Sequence, residues 1–542
     1  MINLTPDLLI PFFLYAEIHY KFKGLYSRLF KKEPEIIADA PFRLEPGEPI
    51  PVLLLIKDAF RFPVFLESVF VLLSTNAGEN FCETFTFNET IKDRKFWHKI
   101  LYFDPLEKLS GMVQLDVHIK IKINGKTRVY RNDNYRISSH LPLDIFLAEE
   151  PLPRFDNWYF GDFHYHSSFT EDQVEFGAPL QPTAQLAQAM GLNFFAVTDH
   201  SYDLDDREDS FVLNDPEIPK WYKMREEVKR LNSKMNNFVI LPGEEVSAGN
   251  SQNRNVHLLI INNKRFFPGK GDGAEQWLKT KPDLSINEIL EQLEKNALAI
   301  AGHPELKVPF LQKLLIRRGK WQRQDYLNSR LEGFQIWNGD YEEIIGNGTS
   351  RWVQLLLAGR KLSLFAGNDA HGNFNRFRQI GFPFFTFREM VSQIFGNART
   401  GVFVNNHFNG TNLIREIKKR HTLVTNGPIV DFQLQNENGE KAKIGDTIRG
   451  KNFQLILNGK STSEFGKIKS LKLFLGDLEK KEEIEFQTFI KTKDPYLFEL
   501  KLNSSDFPKN GYLRSELLAE KTDGKLSRCL TNPIWINNSR WE

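Results

Sequence analysis

Half of the histidines in this chain, six of twelve in 542 residues, stand in short polar motifs between residues 155 and 400. Most of these motifs come directly after a short apolar run that predicts a buried strand. Polar groups that follow the carboxyl ends of neighbouring parallel strands meet at one edge of a sheet or one mouth of a barrel. The pattern therefore predicts an α/β region with a site at that edge. The motifs are Gly161-Asp162-Phe163-His164-Tyr165-His166-Ser167, Thr198-Asp199-His200, Pro242-Gly243-Glu244-Glu245-Val246, the isolated His257, Gly302-His303-Pro304 and Asn368-Asp369-Ala370-His371-Gly372.

Between these motifs, predicted strands alternate with predicted helices. Residues 181–190 have a helical pattern that stops at Gly191, and residues 194–198 follow as a buried strand. The sequence Ser285-Ile286-Asn287-Glu288 has the spacing of a capping box and predicts a helix through residue 296. The next predicted strand covers residues 297–301. Such alternation indicates a parallel sheet, either open or closed into a barrel.

The regions on either side of the motifs have a different pattern of apolar and polar residues. Residues 41–150 contain short alternating apolar runs and the turn pair Asn124-Gly125, which predict antiparallel strands in a β-sandwich-like domain. A proline-rich linker follows near residues 150–153, and residues 426–542 again favour strands. We therefore predict a helical or irregular segment over residues 1–40, a β-sandwich-like domain over 41–150, a catalytic region over 155–425 and a β-rich domain over 426–542.

Charge and composition exclude some functional classes. With 71 basic and 69 acidic residues the formal charge is only +2, so the chain has no general attraction to nucleic acid or to anionic membranes, although a small nucleotide remains an acceptable substrate. The two cysteines, Cys82 and Cys529, share no metal-ligand spacing. An apolar run at residues 8–15 is too short to span a bilayer, and its basic residues follow it rather than precede it. It predicts a helix packed on the protein or a membrane-surface anchor, and we expect a cytoplasmic protein.

The residue types in the motifs point to bound metal. His164 and His166 alternate on a predicted strand, so both rings face one side and can bind one ion. A single histidine near a strand end is usually only solvated or capped, but six histidines with several carboxylates favour a shared site. Imidazoles mixed with carboxylates suit Zn, Mn or Fe better than Mg or Ca.

The ordered series HYH, TDH, GEE, His257, GHP and NDAH resembles the PHP (polymerase and histidinol phosphatase) superfamily over nearly half of the chain. The resemblance implies a multidomain protein with a central distorted (β/α)7 barrel, flanked by N-terminal and C-terminal β-rich, sandwich-like domains. It also implies two or three divalent ions. By motif match, the first ion would be held by His164, His166, Glu245 and Asp369, the second by Glu245 as a bridge with His257 and His303, and the third by His200 and His371.

The match has one departure and one extension. Where family members often carry a further ligand for the third ion, this chain has Glu171 and Asp172, so Asp172 is the candidate there. The family spacing favours Glu245 as the ligand and leaves Glu244 a structural contact. Residues 421–428 and 531–535 resemble a multidomain branch that includes carbaryl-hydrolase-like proteins. That branch widens the expected chemistry to carbamates and other acyl esters.

The sequence thus predicts a metal-dependent hydrolase of a small-molecule ester, first of all a phosphoesterase that uses a metal-bridged hydroxide on a nucleotide or another phosphate ester. Asp199 or His371 would assist proton transfer. Arg376 and Arg378 would clamp a substrate phosphate or lie on the surface, and Asn338 either faces the substrate or does not. The alternatives are a hydrolase of carbamates, amides or carboxylic esters, which needs an apolar pocket, and a non-catalytic binding protein with a vestigial barrel.

Overall fold

The computed structural model describes residues 33–538, except 105–108, 135–139, 171–176, 209, 272, 274–279, 309, 340–341, 376–378, 383–384, 389–392, 491–492 and 506. The apolar run at residues 8–15 and three predicted site residues, Asp172, Arg376 and Arg378, lie outside the described residues. Within the described part of the chain, no helix is long and apolar enough to cross a membrane.

The N-terminal region consists of strands in two sheets over one apolar core. Along Gly111–Ile123 buried and more exposed side chains alternate, as the strand period requires. The predicted Asn-Gly turn is confirmed, because Asn124 and Gly125 have φ values of 49° and 75° and join two paired strands. The smaller sheet has the order Glu35–Asp39, Ile50–Lys57 and Phe96–Phe103; the larger has Arg43–Leu44, Leu143–Leu147, Gly111–Ile123, Val64–Thr75 and Asn80–Ile91, with Lys126–Arg131 also paired to Gly111–Ile123.

A fifteen-stranded sheet runs from the central region into the C-terminal region. The strands are apolar on both faces near its middle, for example in Phe194–Val197, which is buried throughout. In hydrogen-bonded order they are Ser363–Gly367, Gly333–Asn338, Leu298–Ala301, Asn255–Ile261, Val239–Gly249, Phe194–Val197, Trp158–Tyr165, Arg399–Phe403, Thr422–Thr425, Leu526–Thr531, Asn510–Glu520, Lys467–Asp477 and Glu482–Phe489, with Thr447–Ile448 and Ile534–Asn537 attached beside Asn510–Glu520.

The remaining elements are a four-stranded C-terminal sheet, two short hairpins and the helices. The predicted capping box is confirmed, since Ser285 and Glu288 exchange hydrogen bonds at the start of Ile286–Glu291, but that helix ends well before residue 296. The four-stranded sheet has the order Lys441–Lys443, Ile429–Asn436, Phe453–Lys460 and Leu497–Ser504, and the hairpins pair Asp206–Arg207 with Ser210–Asn214 and Gln379–Phe382 with Phe385–Arg388. The described helices are Leu180–Ala189, Ser201–Leu204, Pro219–Asn232, Ile286–Glu291, Phe310–Leu315, Glu342–Leu357 and Gly410–Lys418, with a 3-10 turn at Arg323–Tyr326.

The predicted central (β/α)7 barrel is wrong. The structure is 45% strand and only 14% helix, which leaves too few helices to alternate with strands. Asn255–Ile261 runs antiparallel to both of its neighbours, because a tight turn rather than a helix joins it to Val239–Gly249. Among the described residues the strand order is an open path that continues into the C-terminal region, not a ring. The flanking regions are β-rich, as expected, but the sheet crosses the boundary predicted near residue 425.

The sheet curves so that the carboxyl ends of distant strands approach each other. An isolated bridge joins Tyr165, at the end of Trp158–Tyr165, to Ala370, just beyond Ser363–Gly367. A second bridge joins His200 to Glu245. These contacts bring the polar motifs from separate parts of the sequence to one place.

Candidate metal centre

His164 and His166 are fixed by the backbone of the neighbouring segment. The amide of His166 donates to the carbonyl oxygen of Ala370 at 2.9 Å, and the carbonyl oxygen of His164 accepts from the amide of Asp369 at 2.9 Å. Both side chains are buried, and their Nε2 atoms lie 3.1 Å apart. The i and i+2 positions of an extended chain thus place both rings on the same side.

Glu245 is the carboxylate on which most of the rings converge, and its side chain is fully buried. Its backbone amide donates to the carbonyl oxygen of Asp199 at 3.0 Å, which ties it to the TDH motif. The ring nitrogens nearest to Oε1 are His257 Nδ1 at 2.5 Å, His164 Nε2 at 3.2 Å and His303 Nε2 at 3.3 Å, and those nearest to Oε2 are His200 Nδ1 at 3.0 Å and His166 Nε2 at 3.5 Å.

Asp369 is the second carboxylate of the cluster. Its Oδ1 lies 3.1 Å from His166 Nε2 and 3.2 Å from His164 Nε2, and its Oδ2 accepts a hydrogen bond from Gln393 at 3.0 Å. Asp369 has a φ of 54° and His303 a φ of 24°, values that residues other than glycine seldom adopt. Such backbone conformations persist only where surrounding contacts hold them, and they cluster at functional sites.

His200 and His371 extend the cluster beyond His166. The rings of His371 and His166 stack with centroids 4.1 Å apart and planes 2° apart. His371 Nδ1 lies 3.0 Å from the carbonyl oxygen of Asp369. The ring of His200 lies 4.3 Å from that of His166, and Tyr202 stacks on it at 4.6 Å.

Gln335 orients two of these histidines, a role that the sequence did not suggest. Its Oε1 lies 3.0 Å from His164 Nδ1 and accepts from the backbone amide of His303 at 3.0 Å. When the ring is neutral, a hydrogen bond donated by Nδ1 of His164 to Gln335 leaves Nε2 of that ring without a proton and facing the carboxylates. Asn338 accepts from Gln335 Nε2 at 3.0 Å and is buried, so it supports this arrangement from behind. The available signal was a glutamine inside an otherwise apolar strand, Gly333–Asn338.

Asp199 and Glu244 belong to the scaffold around the cluster. Asp199 accepts from the amide and hydroxyl of Ser167, at 2.6 and 2.7 Å, and from those of Thr170, at 3.1 and 2.9 Å. Glu244 accepts from the Ser201 hydroxyl at 3.1 Å and from the amide of Phe267 at 3.2 Å. Asp199 therefore fixes the loop that follows His166, while Glu244 makes the structural contact expected from the motif spacing.

Asp162 is a second buried anchor that sequence reasoning passed over, although it stands in the first motif. It accepts from the amide of His164 at 3.0 Å, from the side chain of Asn368 at 2.7 Å and from the amide of Gly396 at 3.0 Å. These bonds link three segments behind the histidines. Burial raises the pKa of Asp162 to about 6, and the hydrogen bonds oppose that rise.

The protonation equilibria of the carboxylates and rings are coupled. Burial would raise the pKa of Glu245, but His257 and His164 outweigh it and hold that pKa well below its usual range. Burial also opposes ionisation of Asp369, yet His164 and the hydrogen bond from His166 keep its pKa well below the ordinary value. Burial, with His371 and His200 nearby, lowers the pKa of His166 well below the usual value. Ionised carboxylates beside a neutral imidazole are the states that bind metal cations.

His164 behaves differently from His166. Burial lowers its pKa, but the carboxylates of Asp369 and Glu245 outweigh burial and raise the pKa to about 9. A proton on His164 thus supplies positive charge between two buried anions. A metal cation between the same carboxylates would supply that charge instead and displace the proton.

The nitrogen and oxygen atoms of the cluster are spaced so that they could bind more than one metal ion. Two nitrogen ligands of one tetrahedral zinc ion are roughly 3.4 Å apart, close to the 3.1 Å between the Nε2 atoms of His164 and His166. Nδ1 of His257 and Nε2 of His303 are likewise 3.1 Å apart. Three overlapping groups have all their ligand atoms within 4.8 Å of one another: His164, His166, Glu245 and Asp369; His200, Glu245 and His257; and His166, His200 and His371.

The structure thus brings together eight of the nine residues predicted as ligands, and Asp172 lies outside the described residues. His303 is in contact with Glu245 and His257 although it completes none of the three groups. Arg318 is a neighbour that the sequence did not suggest: its guanidinium contacts Nε2 of His257.

Comparisons with known proteins assign no family. No family model matches the chain, and no curated protein matches it. Among solved structures, β-glucuronidase from Parabacteroides merdae is 9% identical, with 94% of this chain and 65% of that chain covered and a TM-score of 0.18. A glycosyl hydrolase family 2 member from Bacteroides cellulosilyticus is 8% identical, with 93% and 63% covered and a TM-score of 0.16. This chain therefore spans less than two thirds of their length, and likenesses at such TM-scores assign neither fold nor activity.

Proposed function

We propose that the protein is a metal-dependent hydrolase that cleaves a phosphate ester of a small molecule. The observation that carries the proposal is the convergence of five histidine rings on the buried carboxylate of Glu245, with Asp369 beside two of them. The order of the motifs, which resembles the PHP superfamily, supports the same chemistry. Two or three ions of Zn, Mn or Fe are the expected cofactors.

Different side chains of the cluster would have different roles in hydrolysis. Bound ions would lower the pKa of a coordinated water and stabilise the attacking and leaving oxygens. Glu245 and Asp369 supply the negative charge. Gln335 keeps Nε2 of His164 directed at these two carboxylates. His371 is partly exposed at the edge of the cluster, where it can give a proton to a leaving group when it does not hold a third ion. We assign Asp199 to positioning, because Ser167 and Thr170 occupy its carboxylate oxygens.

Arg318 favours a phosphate ester over an acyl substrate. A phosphoryl group carries negative charge and is held by fixed cations, whereas a carbamate or carboxylic ester needs an apolar pocket beside the metal. The guanidinium of Arg318 touches His257 at the edge of the cluster. Carbamates, amides and carboxylic esters are the second class of substrate to test.

The test begins with elemental analysis of protein purified after growth with Zn, Mn or Fe. We expect at least two transition-metal ions per chain, and hydrolysis of some phosphomonoester or phosphodiester that a chelator abolishes and metal restores. Hydrolysis confined to carboxylic esters or carbamates would replace the phosphoesterase with the acyl alternative. Less than about one ion per chain after supplementation would reject a metal enzyme and leave a binding protein.

A further inference from the structure

A basic cleft opens next to the candidate metal centre. Its volume is about 460 Å³, and four cationic side chains line it: Arg254, Lys313, Arg318 and Lys320. None of the described side chains that line it is acidic. Residues 307–323 contain six basic and no acidic residues, in a chain whose formal charge is only +2. The positive charge is therefore concentrated locally and attracts an anion.

Backbone contacts fix this cleft against the strand that carries His257. The amide of Asn255 donates to the carbonyl oxygen of Arg317 at 3.1 Å, and the amide of Gly319 donates to the carbonyl oxygen of Asn255 at 2.8 Å. A side chain at Gly319 would meet Cβ of Arg254 at 2.6 Å, so glycine allows the two basic segments to pack closely. The segment that carries Arg318 and Lys320 is thereby held against the strand Asn255–Ile261.

His257 and Arg318 lie between the cluster and the cleft. Its Nδ1 lies 2.5 Å from Glu245 Oε1, while its Nε2 contacts the guanidinium of Arg318. Arg318 therefore borders both the metal ligands and the cleft. A ligand whose ester lies at the cluster can extend past Arg318 toward Lys320 and Arg254.

The rim of the cleft adds apolar surface to this charge. Phe310 and Leu314 lie on the short helix Phe310–Leu315, and they are 63% and 65% exposed. Large apolar side chains with that exposure suit contact with the carbon skeleton of a ligand. The cleft thus combines charge for an anionic group with a surface for the chain that carries it.

Resting on the proposed function, we infer that this cleft binds a second anionic group of the substrate. The substrate class is then a small organic phosphate ester that carries a further phosphate or carboxylate, with the carbon skeleton between the two. Arg318, Lys320, Arg254 and Lys313 hold the second group, and the metal cluster holds the ester that is cleaved. A phosphate ester without a second anion leaves the cleft unused.

The experiment measures binding of stable phosphonates by calorimetry at low ionic strength, where charge contacts at an exposed site are least screened. The probes are methylphosphonate, butane-1,4-bisphosphonate and 4-phosphonobutanoate. We expect the metal-loaded protein to bind the bisphosphonate at least about tenfold more tightly than methylphosphonate, since a single hydrogen bond to a charged group is worth about tenfold or more. The phosphonocarboxylate shows whether a carboxylate serves as well as a phosphate.

The variant is Arg254→Gln combined with Lys320→Gln, because Arg318 touches a metal ligand and its replacement would disturb the cluster. We expect this double variant to lose at least about fivefold in bisphosphonate affinity and nothing in methylphosphonate affinity. Arg323→Gln removes a cation of the same segment that does not line the cleft, and it should change neither affinity.

The outcomes separate this inference from the proposed function. If the protein hydrolyses phosphate esters but binds both bisphosphonate and phosphonocarboxylate no more tightly than methylphosphonate, the function stands and the second-anion site is rejected. Tight binding that the double variant does not weaken also rejects the cleft. Bisphosphonate binding that depends on Arg254 and Lys320, in a protein with no hydrolytic activity, supports the cleft and rejects the phosphoesterase.

Discussion

Two buried clusters in this protein combine histidine with carboxylates, and they differ in how the charges are balanced. In the first, which we call the His421 cluster, Nδ1 of His421 lies 2.8 Å from Glu416 and Nε2 lies 2.9 Å from Asp446. Lys419 and Arg415 also donate to Glu416, at 3.0 and 3.1 Å. Each ring nitrogen has one carboxylate oxygen, and the acids have further cations. The cluster is complete with protein groups alone.

The candidate metal centre has the opposite balance. Six rings surround two carboxylates, and ring nitrogens face each other across 3.1 Å in two places. A neutral imidazole has one donor and one acceptor, so six rings cannot all be satisfied by two carboxylates and one another. The surplus consists of nitrogen lone pairs, which a transition-metal cation accepts. Both clusters bury histidine beside carboxylate. The surplus of nitrogen lone pairs is what indicates a metal ion.

The largest expected effect is the loss of metal and turnover in Glu245→Gln and Asp369→Asn. Each change removes a charge and a ligand atom, so the loss should exceed the roughly 10- to 100-fold that removal of an outer-shell partner costs. Elemental analysis and turnover measure it, and circular dichroism checks that the fold is retained. His303→Ala should lose metal selectively at the Glu245 and His257 side of the centre.

The matched variant is Glu416→Gln, which makes the same chemical change in the His421 cluster. This variant should keep full metal content and turnover, because the His421 cluster has no surplus of nitrogen lone pairs. If Glu245→Gln and Asp369→Asn also kept full metal and near wild-type rates, the contrast between the two clusters would be meaningless and the proposed centre would be wrong.

A smaller effect is expected for Gln335→Met, which leaves every ligand in place. Methionine fills a similar volume but cannot accept the hydrogen bond from His164 or from the amide of His303. We expect metal affinity to fall about 10- to 100-fold, as for other outer-shell contacts. Competition with a chelator measures the affinity. Gln188→Met, on the exposed side of the helix Leu180–Ala189, is the control and should have no effect.

How far the sequence could predict this structure depends on the range of the interactions. Strands such as Phe194–Val197 and Leu298–Ala301 follow from short apolar runs, and the capping box at Ser285 follows from local hydrogen bonding. The direction of Asn255–Ile261 does not follow from the sequence, because hydrophobic periodicity does not indicate whether a strand runs parallel or antiparallel to its neighbours. The predicted barrel failed on that point and on the number of helices.

The grouping of the candidate ligands was more predictable than the fold that carries them. These residues stand next to predicted strand ends, and the spacing of His164 and His166 fixes their common side. Gln335 and Arg318 could not be found in this way, because each comes from a segment without a motif and reaches the site only through tertiary packing. The glutamine inside the strand Gly333–Asn338 is unusual, but nothing local to Gln335 or Arg318 indicates that it reaches the site.

The His421 cluster should contribute to the stability of the fold. Glu416 is buried and receives charged hydrogen bonds, so Glu416→Gln should lower the free energy of unfolding at pH 7 by about 1 to 3 kcal/mol. Urea denaturation of the two proteins at equal metal content measures the difference. Glu291→Gln, at an exposed helix end, should stay within about 0.5 kcal/mol of the wild type. Equal stabilities for Glu416→Gln and the wild type would show that the cluster contributes nothing net.

The pH dependence of that difference follows from the pKa of Glu416. Burial would raise this pKa, but Lys419, Arg415 and His421 outweigh it and lower the pKa below its ordinary value of 4.5. A carboxyl with a lowered folded pKa stabilises the protein above its unfolded pKa and loses that contribution as pH falls through the folded value. The gap between the wild type and Glu416→Gln should therefore be full at pH 6 and narrow as the pH falls below 4.5 toward the lowered pKa of the folded protein. A gap that widened in acid would contradict the assignment.

The smallest effects are expected for histidines that lie in neither cluster, and they test whether the contrast drawn above is specific. His140 pairs with Asp133 at 2.9 Å, but its side chain is 49% exposed, so water screens the pair. His118 lies on Gly111–Ile123 with its ring 5.9 Å from that of Phe70, and His407 is exposed. Alanine at each of these positions should leave metal content and turnover unchanged, because among the described residues none of them has a carboxylate and further rings within reach of the same point. A loss of metal in any of these three variants, measured beside Glu245→Gln, would mean that a histidine need not belong to the cluster to matter for metal binding.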